Sequence, residues 1–309
     1  MRPKVTLSCV EQTSICFCLT VIGRMNTILS GPGTLINTHP EGTCMAIDFA
    51  NLNKLNEGKT KIIYESPEDA AKVYMVFKDD ITAGDGAKHD TIKGKAVIDW
   101  QINRDIFELL NRAGLKTHYV SSPEERVSLV RKLDQKINLE VVTRRVATGS
   151  IVKWGQEKEG TRYDPVITQF HYKDDMLHDP MIDEGYIDYL VEAKGAKEYA
   201  GMREMNPRIF LLLEKAFAQF KIQLVDIKLE YGLIAGGLYL IDEITGGSFR
   251  LWPYAHDNPD LNQPNVLDEL NPGGRMDKDT YRMGEAAQTV KSRFEQIAHI
   301  TAEFPELKA

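Results

Sequence analysis

Between residues 61 and 145 the apolar side chains fall in short runs separated by turn residues. The stretches 61–64, 73–77, 117–120, 128–133 and 141–145 each read as a β-strand. One stretch breaks this rhythm: 93–112 carries apolar residues at helical spacing and stops before Gly114, a residue suited to the left-handed position after a helix. Together these elements predict a mixed lobe of about 90–100 residues. Helices then take over around a second sheet. Ile209, Leu213, Ala216, Phe217 and Phe220 share a helical face that Pro207 opens or kinks, and Val290, Phe294, Ile297 and Thr301 repeat the pattern near the C-terminus. Both stripes read as core. Residues 258–274, rich in Asn, Pro and Gly, read as a long loop, and the chain has no internal repeat or low-complexity tract.

Two further runs, 224–232 (LVDIKLEYG) and 239–245 (YLIDEIT), read as strands in which ionisable residues interrupt apolar ones. Charges in such a run are costly unless something pairs or ligates them. Glu230 ends the first strand in this reading and Asp242 ends the second, with Ala235-Gly236-Gly237 as the turn, so a hairpin would bring the two carboxylates together. Adjacent carboxylates repel each other, whereas oxygen ligands from two strands suit a hard cation such as Mg²⁺ that also holds nucleotide phosphates. The bland alternative is a hairpin with its charges on a solvated face.

Composition narrows the class. With 309 residues, 42% hydrophobic and 27% charged, the chain can build one large domain or two lobes, and its net charge of −7 argues against a general nucleic-acid or anionic-membrane surface. Cys9, Cys16, Cys18 and Cys44 all precede Met45, a distribution that suits a reducing compartment rather than a disulfide framework and offers no metal-site spacing with histidines. The core is expected to be cytoplasmic. Residues 13–23 are apolar but too short to span a membrane, and Glu11 beside them weakens a signal-peptide reading. Residues 1–45 are therefore expected to form a poorly ordered extension, with Met25 or Met45 as an alternative start and organelle targeting as the lesser reading.

Several other clusters carry candidate chemistry. Glu57-Gly58-Lys59-Thr60-Lys61 puts a glycine and two lysines at a strand start, where backbone N–H groups and ammonium groups can approach phosphates, although the glycine spacing of a Walker A loop is absent. Residues 143–150 (TRRVATGS) place two guanidinium groups and two hydroxyls about a turn, and the planar arginine fork matches carboxylate or phosphate. Residues 248–252 and 276–282 add Arg250, Lys278 and Arg282, while 79–86 and 173–180 are acidic loops. Taken singly, each is more simply a surface ion pair or ordinary turn chemistry.

In this order, however, EGKTK, DDITAGDGAKHD, VVTRRVATGS, KDDMLHDPM, LVDIKLEYG, LIDEITGGSFRLW and MDKDTYR make the chain from about Leu55 to Arg282 resemble the SAICAR synthetase family of purine biosynthesis. The resemblance implies an α+β, two-lobe, ATP-grasp-like fold with ATP between an N-terminal antiparallel-sheet lobe and a larger α+β lobe. On that basis 1–45 is the extension, 46–140 the nucleotide-binding lobe, and 141–309 the larger lobe with metal and substrate sites. It further implies that ATP, L-aspartate and the carboxylated aminoimidazole ribotide CAIR give SAICAR, ADP and phosphate through an acyl phosphate.

Carried over by position, the resemblance assigns Gly58, Lys59 and Lys61 to the ATP phosphates, and Lys132 and Leu133 to the adenine at the hinge. Glu230 and Asp242 would ligate Mg²⁺. Arg144, Ser150, Lys228, Arg250, Lys278 and Arg282 would grip the CAIR phosphate and carboxylate, with Asp85, Asp175 and Asp179 near CAIR and the aspartate amine. Lys228, Asp226, Asp85 and Asp179 are the candidates for the catalytic step, without a named general base among them. Two departures stand out: 252–276 is longer than the compact bacterial pattern, and the extension has no family counterpart. No carboxylase domain is expected after residue 309. The competing readings are a small-molecule phosphotransferase, which would need fewer arginines and lacks a His-Arg-Asp catalytic loop here, and a non-catalytic nucleotide-binding protein. Neither nucleic acid nor a membrane is an expected partner, homo-oligomerisation stays open, and selection of aspartate rests on the resemblance alone.

Overall fold

A strand that carries apolar residues on one side must bury that side, and Val73, Met75 and Phe77 do so at the centre of a first sheet of five strands. The computed structural model of the protein describes residues 46–83, 88–155, 157–187, 196–277, 279–282 and 284–307. In it β1 (Lys54–Glu57), β2 (Lys61–Glu65), β3 (Lys72–Phe77), β7 (Val127–Arg131) and β6 (Tyr119–Glu124) lie side by side in that order. A two-stranded ribbon, β4 (Asp80–Ala83) with β5 (Lys88–Thr91), leads into helix α1 (Lys95–Arg112). Gly94, at φ +86, starts this helix two residues later than the apolar pattern predicts, and Gly114, at φ +75, follows its end. Val73, Met75 and Phe77 of β3 pack with Val130 and with Ala96 of α1, while Ile102, Ile106 and Leu110 of α1 enter the main core.

The second sheet runs β11 (Gly237–Ile241), β10 (Ile222–Ile234), β8 (Gln135–Val146), β9 (Arg162–Tyr172), with β12 (Phe249–Pro253) pairing along the other half of β10. All its pairings are antiparallel. Ile227, Leu229 and Tyr231 of β10 join Phe210, Leu213 and Phe217 of α3 (Ala196–Ala218) in the core. The Tyr231 hydroxyl donates to Asn206 Oδ1 on the same helix at 2.7 Å. Each such buried aromatic contributes about 1.5–3 kcal/mol relative to exposure. The period of two then sends Asp226, Lys228 and Glu230 to the opposite face. The short α2 (Ser150–Gly155) and α4 (Asp279–Arg282) meet that face through Ser150 and Asp279, which accept from Arg144 and Arg250, and α5 (Ala287–Thr301) packs on α1, where Gln101 donates to Ala298 O at 3.2 Å.

Several expectations need correction. Pro207 does not open a helix: α3 begins eleven residues earlier, at Ala196, and Met202 ahead of the proline is fully buried. Glu230 does not end its strand, because β10 continues to Ile234. The strand expected over 128–133 stops at Arg131, leaving 132–134 as the connector between the two sheets. The strand expected over 117–120 is β6, from Tyr119 to Glu124. The expected extension 1–45, Asp85 and Lys278 lie outside the described residues, and no side-chain position is described for Asp175 or Arg282. No described helix is long and apolar enough to cross a membrane.

Candidate active site

Sheet register alone lines up a row of opposite charges. Asp226 of β10 is the cross-strand partner of Arg144 on β8 and of Arg250 on β12. Both guanidinium groups donate to Asp226 Oδ2, Arg250 Nη1 at 2.7 Å and Arg144 Nη1 in a shorter contact. Arg144 also donates Nε to Gln169 Oε1 at 3.0 Å and Nη2 to Ser150 Oγ at 3.3 Å, so its planar fork is held at three points. Arg250 Nε donates to Asp279 Oδ2 at 2.6 Å. Gly149, at φ +68, lies so close that a Cβ there would stand 2.9 Å from Arg250 Nη2, which is why the turn needs glycine. Burial pushes the Arg144 pKa down against the pull of Asp226; in Arg250 burial is outweighed by Asp226 and Asp279, and the pKa rises.

A second row lies further along the same face. Glu230 of β10 is the direct cross-strand partner of Glu140 on β8. Like charges placed this way repel unless cations intervene. Lys173 pairs with both, at 3.1 Å to Glu140 Oε1 and closer still to Glu230; Lys228 stands 2.6 Å from Glu140 Oε1 and Lys136 2.7 Å from Glu230 Oε2. Burial alone would raise the Glu140 pKa, but Lys228 and Lys173 hold it below the usual carboxylate range. The Lys173 ammonium is held above its usual value by Glu230, Glu140 and, more weakly, Asp242, against the effect of burial.

Asp242 follows the end of β11, at φ +70. Lys61, from β2 of the other sheet, pairs with both Asp242 and Glu243, and Thr60 Oγ1 donates to Glu243 Oε1 at 2.7 Å. The candidate phosphate loop thus meets the acidic turn across the two sheets. Burial opposes ionisation of Asp242, yet Lys61, then Lys136 and Lys173, hold its carboxyl well below the usual range. His118 donates Nε2–H to the Asp242 carbonyl at 3.0 Å, and burial lowers its pKa to about 4, so the ring is neutral near pH 7.

The predicted residues therefore gather unevenly. Arg144, Ser150, Asp226 and Arg250 form one cluster, Lys228 and Glu230 a second, and Lys61 with Asp242 a third, linked to the second by the field that Lys173 and Lys136 exert on Asp242. Asp179 lies near the second cluster. Its carboxylate accepts from Asp174 N at 2.9 Å, and its pKa is raised by burial and then by Glu140. Gly58 and Lys59 sit exposed in the β1–β2 turn, where Gly58 N donates to Lys61 O at 2.9 Å. Lys132 and Leu133 lie in the connector, with Lys132 N donating to Ala71 O at 2.8 Å. The sequence reading left Glu140, Lys173, Lys136 and Glu243 without site roles. Glu140 carried the same signal as Glu230, a carboxylate inside an apolar run.

A cavity of 310 Å³ lined by Ile151, Trp154, Tyr163, Gln169 and Met181 abuts the first cluster through Gln169, the acceptor of Arg144. Two larger cavities, of 540 and 570 Å³, lie elsewhere and include none of these charged residues. Among the described residues no group of three or more His, Cys, Asp or Glu could hold a metal ion. An all-protein metal cage is therefore absent from them, whereas a two-carboxylate site completed by substrate phosphates and water remains compatible with this donor set.

The family model for SAICAR synthetase matches residues 54–297. A phosphoribosylaminoimidazole-succinocarboxamide synthase from Herpetosiphon aurantiacus is 43% identical over 261 residues, covering 81% of this chain and 98% of that protein. Among solved structures, the phosphoribosylaminoimidazole-succinocarboxamide synthase from Ehrlichia chaffeensis matches with a TM-score of 0.68 at 32% identity, covering 81% of this chain and 98% of that one. A SAICAR synthetase in complex with ADP matches with a TM-score of 0.67 at 32% identity, covering 80% and 96%.

Proposed function

The chain belongs to the SAICAR synthetase family, and from that premise we propose that the charged rows on the β8–β10–β12 face, together with Lys61, carry out the family reaction on CAIR, L-aspartate and ATP. As a member, the protein is an ATP-dependent ligase of purine biosynthesis with the two-lobe α+β fold. The observation that carries the assignment of the face is the row Arg144–Asp226–Arg250 beside the row Glu140–Lys173–Glu230. Cations held in place by strand register and by their carboxylate partners are already organised for an anionic substrate, so little reorganisation is needed when it binds.

A carboxylate is a poor acyl donor. Transfer of the γ-phosphoryl group to a CAIR carboxylate oxygen, with ADP leaving, makes an acyl phosphate; the aspartate amine then attacks the carbonyl carbon and phosphate departs. In our reading Lys61 and Lys59 steady the ATP phosphates, and Lys132 and Leu133 line the adenine side of the connector. Arg144, Ser150 and Arg250 hold the CAIR anions, with Lys278 and Arg282 as further phosphate contacts. Lys228 neutralises charge at the acyl centre, with Asp226 fixing the arginines around it. Asp85, Asp175 and Asp179 attend the aspartate amine, and the raised pKa of Asp179 suits a group that exchanges a proton.

Glu230 and Asp242 fit Mg²⁺: both are hard oxygen donors, and their present partners are lysine ammonium groups, including Lys136 with a side chain 41% exposed, which can swing aside. Mg²⁺, when bound, supplies positive charge against the phosphates. We place the reaction in the cytoplasm, because all four cysteines precede Met45, a distribution that suits a reducing compartment.

The deciding experiment follows ADP release with CAIR alone, aspartate alone, both and neither. Sustained turnover is expected only with both. ADP release with CAIR alone at the full rate would favour a phosphotransferase and overturn the ligase assignment.

A further inference from the structure

The turn that presents Asp242 and Glu243 lies beyond the ladder that orders β11. The strand ends at Ile241, Asp242 takes φ +70, and yet both carboxylates pair with Lys61 from the other sheet. A left-handed backbone at a residue other than glycine persists only where its surroundings impose it. Two buried polar side chains do so. His118 Nε2 donates to the Asp242 carbonyl at 3.0 Å, and Asn103 Oδ1 accepts from Ile244 N at 3.0 Å.

Each of the two is itself fixed. The His118 main chain bridges the sheets, its N–H donating to Leu240 O at 2.9 Å and its carbonyl accepting from Arg131 N at 2.8 Å. Its ring lies 5.5 Å from that of Phe107 on α1. Asn103, fully buried on the same helix, has Nδ2 3.5 Å from Ser128 Oγ of β7. One helix and both sheets thus hold the acidic turn on either side of Glu243.

We propose that His118 and Asn103 are positioning residues for the reaction: they impose the left-handed turn at Asp242 and thereby aim Asp242 and Glu243 at Lys61 and the nucleotide phosphates. The inference rests on the site reading above, in which Lys61 and Asp242 serve the nucleotide. It adds two residues that touch neither substrate nor phosphate and act only through backbone hydrogen bonds. Outer partners of this kind typically cost about 10- to 100-fold in metal affinity or activity when removed.

The test uses the full chain and compares wild type, H118L, H118Q, N103A, D242N and the double variant H118L/D242N by thermal melting and by kcat and KM for ATP and for aspartate. Folded H118L is expected to lose about 10- to 100-fold in kcat/KM for ATP while KM for aspartate stays near its wild-type value. H118Q, whose amide nitrogen can stand where Nε2 stands, should recover most of that loss. In the D242N background H118L should cost little more, because the group it positions is already impaired. N103A tests the same turn through Ile244 and decides the question if H118L does not fold. A lower melting temperature with wild-type kcat/KM for ATP in H118L or N103A, alongside a crippled D242N, would overturn the positioning role and leave the site reading standing. A silent D242N would instead remove the site reading, and the positioning role with it.

Discussion

Glu140 of β8 and Glu230 of β10 stand directly opposite each other, and Lys173 reaches both carboxylates. Removing that ammonium leaves two facing acids that, among the described residues, keep Lys228 on one and Lys136 on the other. Because Lys173 is 32% exposed and those partners remain, K173M is expected to destabilise the fold by about 1–3 kcal/mol at pH 8. The sign with pH follows from the carboxylates. In the wild type the Glu140 pKa is depressed below 4.5, so its contribution is present above that pH and is lost only as pH falls through the folded value. In K173M the facing acids repel and the Glu140 pKa rises from its depressed wild-type position, so the folded variant binds more protons than the folded wild type and the stability gap between them widens as pH increases. Thermal melts should show a smaller gap between wild type and K173M at pH 5 than at pH 8; equal gaps would contradict the repulsion argument.

Arg144 tests anion recognition. Its three donor contacts, to Gln169, Asp226 and Ser150, depend on a planar fork that lysine lacks. R144K should weaken kcat/KM for CAIR by about 1–3 kcal/mol, with ATP affinity near wild type. Steady-state kinetics with each substrate varied in turn would check this. Equal damage to ATP would move Arg144 to the nucleotide site.

The period-two alternation of β10 was legible because charged residues at 226, 228 and 230 alternate with apolar residues at 227, 229 and 231. What those charges meet was not legible. Arg144 and Asp226 are 82 residues apart, and Lys173 and Glu230 are 57 apart, so each pairing depends on strand register rather than on local pattern. β9 escaped the sequence reading because most of its residues are only half-buried and Pro165 inside it reads as a breaker. Lys61 with Asp242 was harder still, since it requires the first sheet to approach the end of a hairpin in the second. The fold class and the family emerged from ordered motifs, each of which read singly as a surface turn or ion pair.

Truncation tests where the folded unit begins. One compact unit runs from Ala46 to Ala309, and the family match begins inside it, at residue 54. Deleting 1–45 is therefore expected to change stability by no more than about 0.5 kcal/mol and to leave turnover near wild type. Loss of soluble, active protein would show that the core needs the segment.

The final prediction concerns the proposed metal ligands, where a neutral amide of similar size removes charge with little change in packing. E230Q removes the acidic partner of Lys136 and one of the two acids on Lys173, and D242N removes one of the two acids on Lys61. Both variants should still fold, because Glu140 continues to pair with Lys173 and Glu243 with Lys61. Turnover should fall by at least about a hundredfold, with a raised Mg²⁺ requirement, since each change removes a hard anionic ligand from phosphoryl transfer. Were these carboxylates only partners for lysines, the substitutions would instead register as lost stability of about 1–3 kcal/mol, with the Mg²⁺ dependence unmoved. Titrating Mg²⁺ against initial rate, beside a thermal melt of each variant, separates the two, and a wild-type Mg²⁺ profile in both variants would remove the metal assignment.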